Sequence, residues 1–455
     1  MTECTQDSFA FAPAFRREVV ARFDAGPVSS DGGALLLREV AGKIDLLPRL
    51  AACFTDGRDA GRVEHTVEQL LAQRLYALAL GYEDRNDHDR LRLDPLLALL
   101  TGKREPAEEP LASKSTLNRL ELTRPSAETP APRYQTILFA PAAADQLLLQ
   151  LFVEAHRSPP QEIVLDLDAT DDPLQGKQEG RCFHGYYGHS CYLPLYVFCG
   201  DHRLCARLRT ADGDASAGAL GEIQRLVSQL RQHWPAVRIT LRADSGFCRE
   251  ELMRWCEDHQ VDFVFGLARN RRLEALRADT LAEARQQQES TGPPARLFRA
   301  LRYQTRESWS RERRVVGKAE HLDKGANPRF IVTSLSAEQW AARALYEDLY
   351  CARGEMENRI KEQFQLFADR LSRHWLWSHP LRLYLSAFAY VLVDSLRRLA
   401  LSRTTLAQAE VNTIRLRRLK IGAIVKVSGR RLWVSLSSAH PAARVFAQAW
   451  QALRC

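Results

Sequence analysis

The chain reads as an α/β protein: a mixed sheet in its middle, helices before it, and a helical, basic stretch after it. Three observations carry this. Residues 163–168 (IVLDLD), 191–200 (CYLPLYVFCG) and 203–209 are strand-length runs rich in apolar, β-branched or aromatic side chains. Next, an amphipathic helix at 216–234, a strand at 238–243 (RITLRA), a helix at 249–259 and a strand at 262–266 (DFVFG) alternate, as in a layered fold. Finally, the first 150 or so residues repeat apolar side chains at helical rather than strand spacing.

In chain order, residues 66–82 (TVEQLLAQRLYALALGY) form the first strong helix, and 94–100 and 115–120 suggest two shorter ones. The intervening loop 102–110 (GKREPAEEP) is rich in Pro, Gly and charge. Two short helices about such a turn would suit a DNA-reading helix-turn-helix with Lys114 and Arg119 facing phosphates, but a plain helical bundle is the simpler reading. After the α/β stretch, residues 270–339 change to polar loops around apparent strands 297–304, 313–320 and 329–335. Helical periodicity resumes at 341 and runs to about 367. The expected division is therefore a helical region 1–158, an α/β core 159–380 with a β-rich insertion at 270–339, and a helical, basic region 381–455.

With 455 residues, 45% hydrophobic and 26% charged, the chain has the make-up of a soluble globular protein with room for several domains. Its net charge of +8 leans toward a polyanionic partner. The charge is concentrated: residues 395–433 hold ten Arg and Lys but one acid, Glu410. Such a run repels itself unless it is neutralised, and nucleic acid is the natural counterpart. Ten scattered cysteines without a Cys-x-x-Cys pair point to a reducing, cytoplasmic setting. Residues 1–20 lack a basic start followed by an apolar run, so no signal peptide is expected. The most apolar stretch, 383–396, is shorter than a bilayer span and contains Asp394, so no membrane association is expected.

Three acids stand where this architecture would expose them. Asp168 ends the first strand, Asp244 follows the strand RITLRA directly, and Glu357 lies on the helix YEDLYCARGEMENRIKEQF, residues 346–364. Carboxylates at strand ends of α/β folds point into the crevice where ligands bind. Held together, they suit divalent cations, which offset their mutual repulsion; two such ions about 4 Å apart would clamp both oxygens of a phosphodiester displacement. Carboxylate ligation favours Mg²⁺. Each acid alone has a bland alternative as a helix cap or turn residue.

On the last helix Tyr350, Arg353, Glu357 and Lys361 are spaced by three, four and four residues and would share one face. That stripe is also a surface ion-pair ladder of small energetic value. Gly354, costing about 1 kcal/mol inside a helix relative to Ala, suggests close approach of a ligand or another backbone. Cys182, His184, His189 and Cys191 supply four zinc-type ligands, yet their spacing is not that of a knuckle and the Gly/Tyr-rich middle reads as a turn. No Gly-x-Ser-x-Gly elbow supports hydrolase chemistry.

Together these residues resemble the DDE transposases of bacterial insertion sequences, in the branch whose last acid belongs to a Tyr-x2-Arg-x3-Glu-x6-Lys signature. Tyr350, Arg353 and Glu357 match its first three positions; its lysine position is Phe364, and Lys361 stands in one turn after Glu357. A Thr two residues after the first acid selects Asp168, with Thr170, over Asp166, and the second acid sits in a loop like Asp244-Ser-Gly-Phe. The resemblance extends to GYEDRNDHDRLRLDP, LASKSTLNRLE and TIRLRRLKIGA. It implies a ribonuclease-H-like catalytic core holding Mg²⁺, with Mn²⁺ as substitute, on Asp168, Asp244 and Glu357. It also implies a β-rich insertion that helps to hold a flipped base, with Trp309 nominated for stacking and a Trp covering a small β core as the alternative, and phosphate positioning by Tyr350, Arg353 and Lys361. The implied reaction is cleavage at the element's ends followed by 3′-hydroxyl attack on target DNA. The implied assembly is a homodimer on DNA, with residues 1–158 binding the terminal inverted repeats and the protein nucleoid-associated when bound. Two rivals share these residues: a non-catalytic DNA-binding derivative, and a nuclease of the same fold that does not join.

Overall fold

The computed structural model describes residues 8–104, 109–123, 136–293, 295–322 and 325–454. The loop 102–110 and the first twenty residues, to which two of the expectations above apply, lie partly outside the described residues. The chain divides into two compact units. Described residues up to Thr123, with 136–138 and those from Leu392 onward, make one; Phe139–Val391 make the other.

The first unit is built on the helix Val67–Leu80. Thr66 and Gln69 close a reciprocal capping box at its start, and Gly81 ends it in the left-handed region at φ 96°. From Leu70 to Leu80 every side chain is buried, even Gln73 and Arg74, so the helix is surrounded rather than half-exposed. Arg74 tolerates this because Glu121 accepts from it at 2.7 Å and the ring of His88 lies 3.1 Å away. Lys114 is ion-paired to Asp89 at 2.7 Å, while Arg119 is exposed. The C-terminal stretch expected to be helical is partly so. It also carries the hairpin Ala423–Ser428 and Arg431–Leu436, which pairs with Val28–Ser29 in a three-stranded sheet. Val425 and Val427 alternate with Lys426 and Ser428 at period two, a strand signal overshadowed by the density of arginine.

The second unit holds a large mixed sheet. Its strands are β1 (Glu162–Ala169), β2 (Leu195–Cys199) and β3 (His202–Arg207), then β4 (Arg238–Ala243) and β5 (Asp262–Leu267). Helix α1 (Ala219–His233) lies between β3 and β4, and α2 (Glu250–Asp258) between β4 and β5. Strands β1 and β2 are antiparallel, as are β2 and β3, whereas β4 runs parallel to both β1 and β5. One sheet face is apolar: Ile163, Leu165 and Leu167 with Ile239, Leu241 and Ala243 pack in one core with Ile223 and Leu226 of α1 and Leu252 and Met253 of α2. Period-two alternation sends the intervening residues, Asp166, Asp168 and Arg242, to the opposite face.

The segment 270–339 departs from the expected insertion in two ways. It opens with helices, Arg271–Ala275 and α3 (Ala278–Thr291), before its strands β6 (Ala295–Tyr303), β7 (Arg313–Leu322) and β8 (Arg329–Thr333). Those strands do not stand apart. They extend the main sheet, which runs β3-β2-β1-β4-β5-β8-β7-β6 among the described residues. The helix α4 (Gly354–Gln365) follows.

Candidate active site

The register of the parallel pair sets the site. Arg242 lies opposite Asp166 and Ala243 opposite Leu167, so one further residue along each strand brings Asp244 beside Asp168. Adjacent strands are about 4.8 Å apart, which puts the two carboxylates on neighbouring strand ends and on the same sheet face. Asp244 also caps the short turn Ser245–Phe247, its Oδ1 accepting from the Gly246 amide at 2.9 Å.

Asp166 and Asp168 share a face but not a fate. The Arg242 guanidinium donates to both oxygens of Asp166, at 2.5 and 2.8 Å, and its remaining nitrogen donates to the Leu349 carbonyl at 2.6 Å. Both side chains are buried, so Asp166 belongs to a closed ion pair that anchors the chain before the last helix. Asp168 faces the cleft. Its Oδ1 accepts from the Ala169 amide at 2.9 Å and its Oδ2 from Arg353 at 3.2 Å. Burial pushes the Asp168 carboxyl up to about 6; Arg353 pulls it back, while the charges of Asp244 and Glu357 add to the rise.

Arg353 also donates to Glu357 Oε1 at 2.7 Å, so one guanidinium bridges the first and third predicted acids. Burial disfavours its charge, but Asp168, Glu357 and Asp244 together outweigh that and hold its pKa above the ordinary value. Asp168, Asp244, Arg353, Glu357 and Lys361 line one cleft of about 630 Å³, closed on another side by His184, Tyr186 and Tyr187. Phe364, at the lysine position of the signature, lines the same cleft as Lys361.

The backbone leading into α4 is less regular than the spacing suggested. Leu345–Tyr350 is a wide π turn and Cys351–Arg353 a tight 3₁₀ turn, with α geometry only from Gly354. Tyr350 is therefore not on one straight stripe with Glu357. It packs on Tyr346 at 5.5 Å, and its hydroxyl lies over Gly266 of β5. A Cβ at Gly266 would come within 2.7 Å of that hydroxyl, 2.8 Å of the Ser245 nitrogen and 3.1 Å of the Asp244 carbonyl carbon. Gly266, which the sequence reading passed over, thus shapes the floor beneath Asp244; its only signal was an isolated glycine within a strand. Gly354 behaves oppositely, since a Cβ there would meet nothing within 4 Å and no neighbouring backbone needs that glycine.

Trp309 is 6% exposed. Its ring meets Tyr303 edge-on at 5.7 Å and the Arg313 guanidinium at 5.5 Å, while Arg313 itself is held by Glu250 and Glu257. The indole is enclosed in the core and presents no face to a base. Cys182 and His184 pair across a hairpin with Cys191 and His189, and His189 lies 2.7 Å from Asp171.

Among the described residues, no three His, Cys, Asp or Glu side chains are grouped to hold a metal as they stand. The donor set nonetheless fits a hard cation. Asp168 and Glu357 already grip a single positive group, Asp244 adjoins Asp168, and all three offer carboxylate oxygen.

Fold and site together define a mixed α/β protein with carboxylates gathered at the ends of adjacent parallel strands. The chain belongs to the transposase DDE domain family: the model described as "Transposase DDE domain group 1" matches residues 11–455. No curated protein matches the chain. The cryo-EM structure of a piggyBac transposase synaptic complex with hairpin DNA is similar at a TM-score of 0.39 and 11% identity, over 81% of this chain and 76% of that one. Among the described residues, no helix is long and apolar enough to cross a membrane.

Proposed function

We propose that this chain is a DNA transposase of the bacterial insertion-sequence type, cutting DNA at its element's ends and joining the freed ends to a target. The single observation that carries this is the convergence of Asp168, Asp244 and Glu357 on one cleft, with Arg353 spanning two of them. The order β3-β2-β1-β4-β5, antiparallel in its first three strands and parallel in its last two, supports a ribonuclease-H-like core.

Asp168, Asp244 and Glu357 would hold Mg²⁺ or Mn²⁺, as divalent metals serve DDE transposases generally. When bound, such ions lower the pKa of water and neutralise charge on a phosphodiester in displacement. The chain's own groups supply the rest. Arg353 favours the ionised form of Asp168 against the burial that pushes its carboxyl up. Arg353 and Lys361 offer cationic groups for the phosphate that enters the cleft, and Tyr350 supports the Asp244 turn from below. In the first displacement a water oxygen bonds to phosphorus and the 3′ oxygen leaves as a hydroxyl. In the second, that 3′-hydroxyl oxygen bonds to a target phosphorus and the target's own 3′ oxygen leaves. Residues 1–158 are proposed to bind the terminal inverted repeats, within a homodimer that pairs two ends.

The test is cleavage and strand transfer on duplexes carrying the element's end, with Mg²⁺ or with EDTA, for the wild type and Glu357→Gln. Metal-dependent cutting and joining that drop at least about 10²-fold in the variant are expected. Cutting without joining would assign a nuclease, and binding without cutting a non-catalytic derivative.

A further inference from the structure

From Val411 to Cys455 the chain has nine Arg and Lys and no acid. The structure separates six of these cations into two kinds, while Arg417, Arg444 and Arg454 are exposed elsewhere on the tail. Arg415 donates to the Leu78 and Ala79 carbonyls at the end of the helix Val67–Leu80, Lys420 pairs with Asp31 at 2.7 Å, and Arg418 is buried. These hold the fold together. Lys426, Arg430 and Arg431 are exposed and make no ion pair among the described residues.

All three stand at the tip of the hairpin Ala423–Ser428/Arg431–Leu436. Its register sets Lys426 opposite Trp433 and Ser428 opposite Arg431, so these four share one face, while Val427 and Leu432 face the other way. Trp433 is 55% exposed, with the Arg431 guanidinium 5.7 Å over its ring. An unneutralised pair of strands with two cations, an indole and a hydroxyl on one face is a surface for a polyanion that also offers flat groups. A two-stranded ribbon is slim enough for the DNA major groove.

We infer that this hairpin is a DNA-gripping element, with Lys426, Arg430 and Arg431 on phosphates and Trp433 against sugar or base. The inference rests on the transposase reading for its choice of polyanion. It also assigns Arg415, Arg418 and Lys420 to structure rather than to binding.

The test uses the full chain and a labelled duplex of the element's end, without divalent metal, with affinity measured over a range of salt concentrations. The triple variant Lys426→Ala, Arg430→Ala, Arg431→Ala is expected to bind about tenfold more weakly or worse near 0.1 M salt, with a log–log salt slope shallower by about 2–3. The charge-keeping variant Lys426→Arg, Arg430→Lys, Arg431→Lys should restore the slope. Trp433→Ala should weaken binding and leave the slope alone. An unchanged slope in a folded triple variant overturns the inference. So does a variant that loses binding to vesicles of anionic lipid but not to DNA. A wild-type chain with no affinity for DNA overturns the transposase reading beneath it.

Discussion

Asp172 sits four residues beyond Asp168 on the short strand Asp172–Pro173, and 1% of it reaches solvent. Among the described residues its Oδ1 has no hydrogen-bond partner, and the same holds for Asp369 Oδ1, which lies 3.8 Å from the Arg370 guanidinium. Burial pushes the Asp172 carboxyl from 3.8 up to about 8, with the charges of Asp369 and Asp171 adding to the rise and Arg370 opposing it. The consequence for stability has a definite sign. Between those values the folded chain keeps a proton that the unfolded chain has released, so the contribution of Asp172 to stability falls as pH rises through that window and is gone once pH passes about 8. Asp172→Asn removes the titration while keeping the shape. The wild type should lose melting temperature between about pH 4 and pH 8, and the variant should lose much less of it. Parallel melting curves for the two across that range would show that Asp172 keeps its charge in the fold. The same scale shows what sequence could not decide unaided. Asp166 and Asp168 are two residues apart on one strand, and only the partner across the sheet, Arg242, removes Asp166 from the cleft.

The elements that build the site meet at a glycine. Replacing Gly266 by Ala puts a methyl group against the Tyr350 hydroxyl and the Asp244–Ser245 backbone at distances no side chain accepts. Gly266→Ala should therefore cost about 1–3 kcal/mol of stability, and cleavage should fall further than that loss explains, because Asp244 is displaced. Adding Tyr350→Phe removes the nearest clashing atom and should recover part of the stability, leaving the backbone contact. Unchanged melting and cleavage in Gly266→Ala would show that the strand and turn separate without cost. Most strands were legible because strand-length apolar runs announce themselves. The joining of β8 to β5 was not, since which strand pairs with which depends on contacts across dozens of residues rather than on any local pattern. Helix α3 (ADTLAEARQQQEST) was missed for the opposite reason: it is polar almost all round, with Thr280 and Ala284 its named buried residues, and gives little apolar stripe to read. The acids were legible as strand-end and helix residues, but the bridge through Arg353 depends on how those elements pack.

For the molecule as a whole, that bridge has a thermodynamic consequence. Arg353 offsets part of the charge of Asp168 and Glu357 in the chain on its own, so a divalent ion entering the cleft competes with an existing ion pair as well as relieving the repulsion that remains. Its net stabilisation is smaller than that of a site with unpaired carboxylates, but a ligand that binds only the folded state still raises stability, by about 2.7 kcal/mol at a hundred times its Kd. Titration with Mn²⁺ should thus raise the wild-type melting temperature by a few degrees, and EDTA should reverse it. Asp168→Asn and Glu357→Gln should each lose most of that rise. Arg353→Gln, which removes the competing cation, should reach its full rise at a lower Mn²⁺ concentration than the wild type. An equal rise in all four proteins would mean that the ion binds elsewhere, and the carboxylates would then have no claim to the metal. A rise abolished by both acid substitutions and reached earlier in Arg353→Gln would place the metal and the guanidinium in competition for one position.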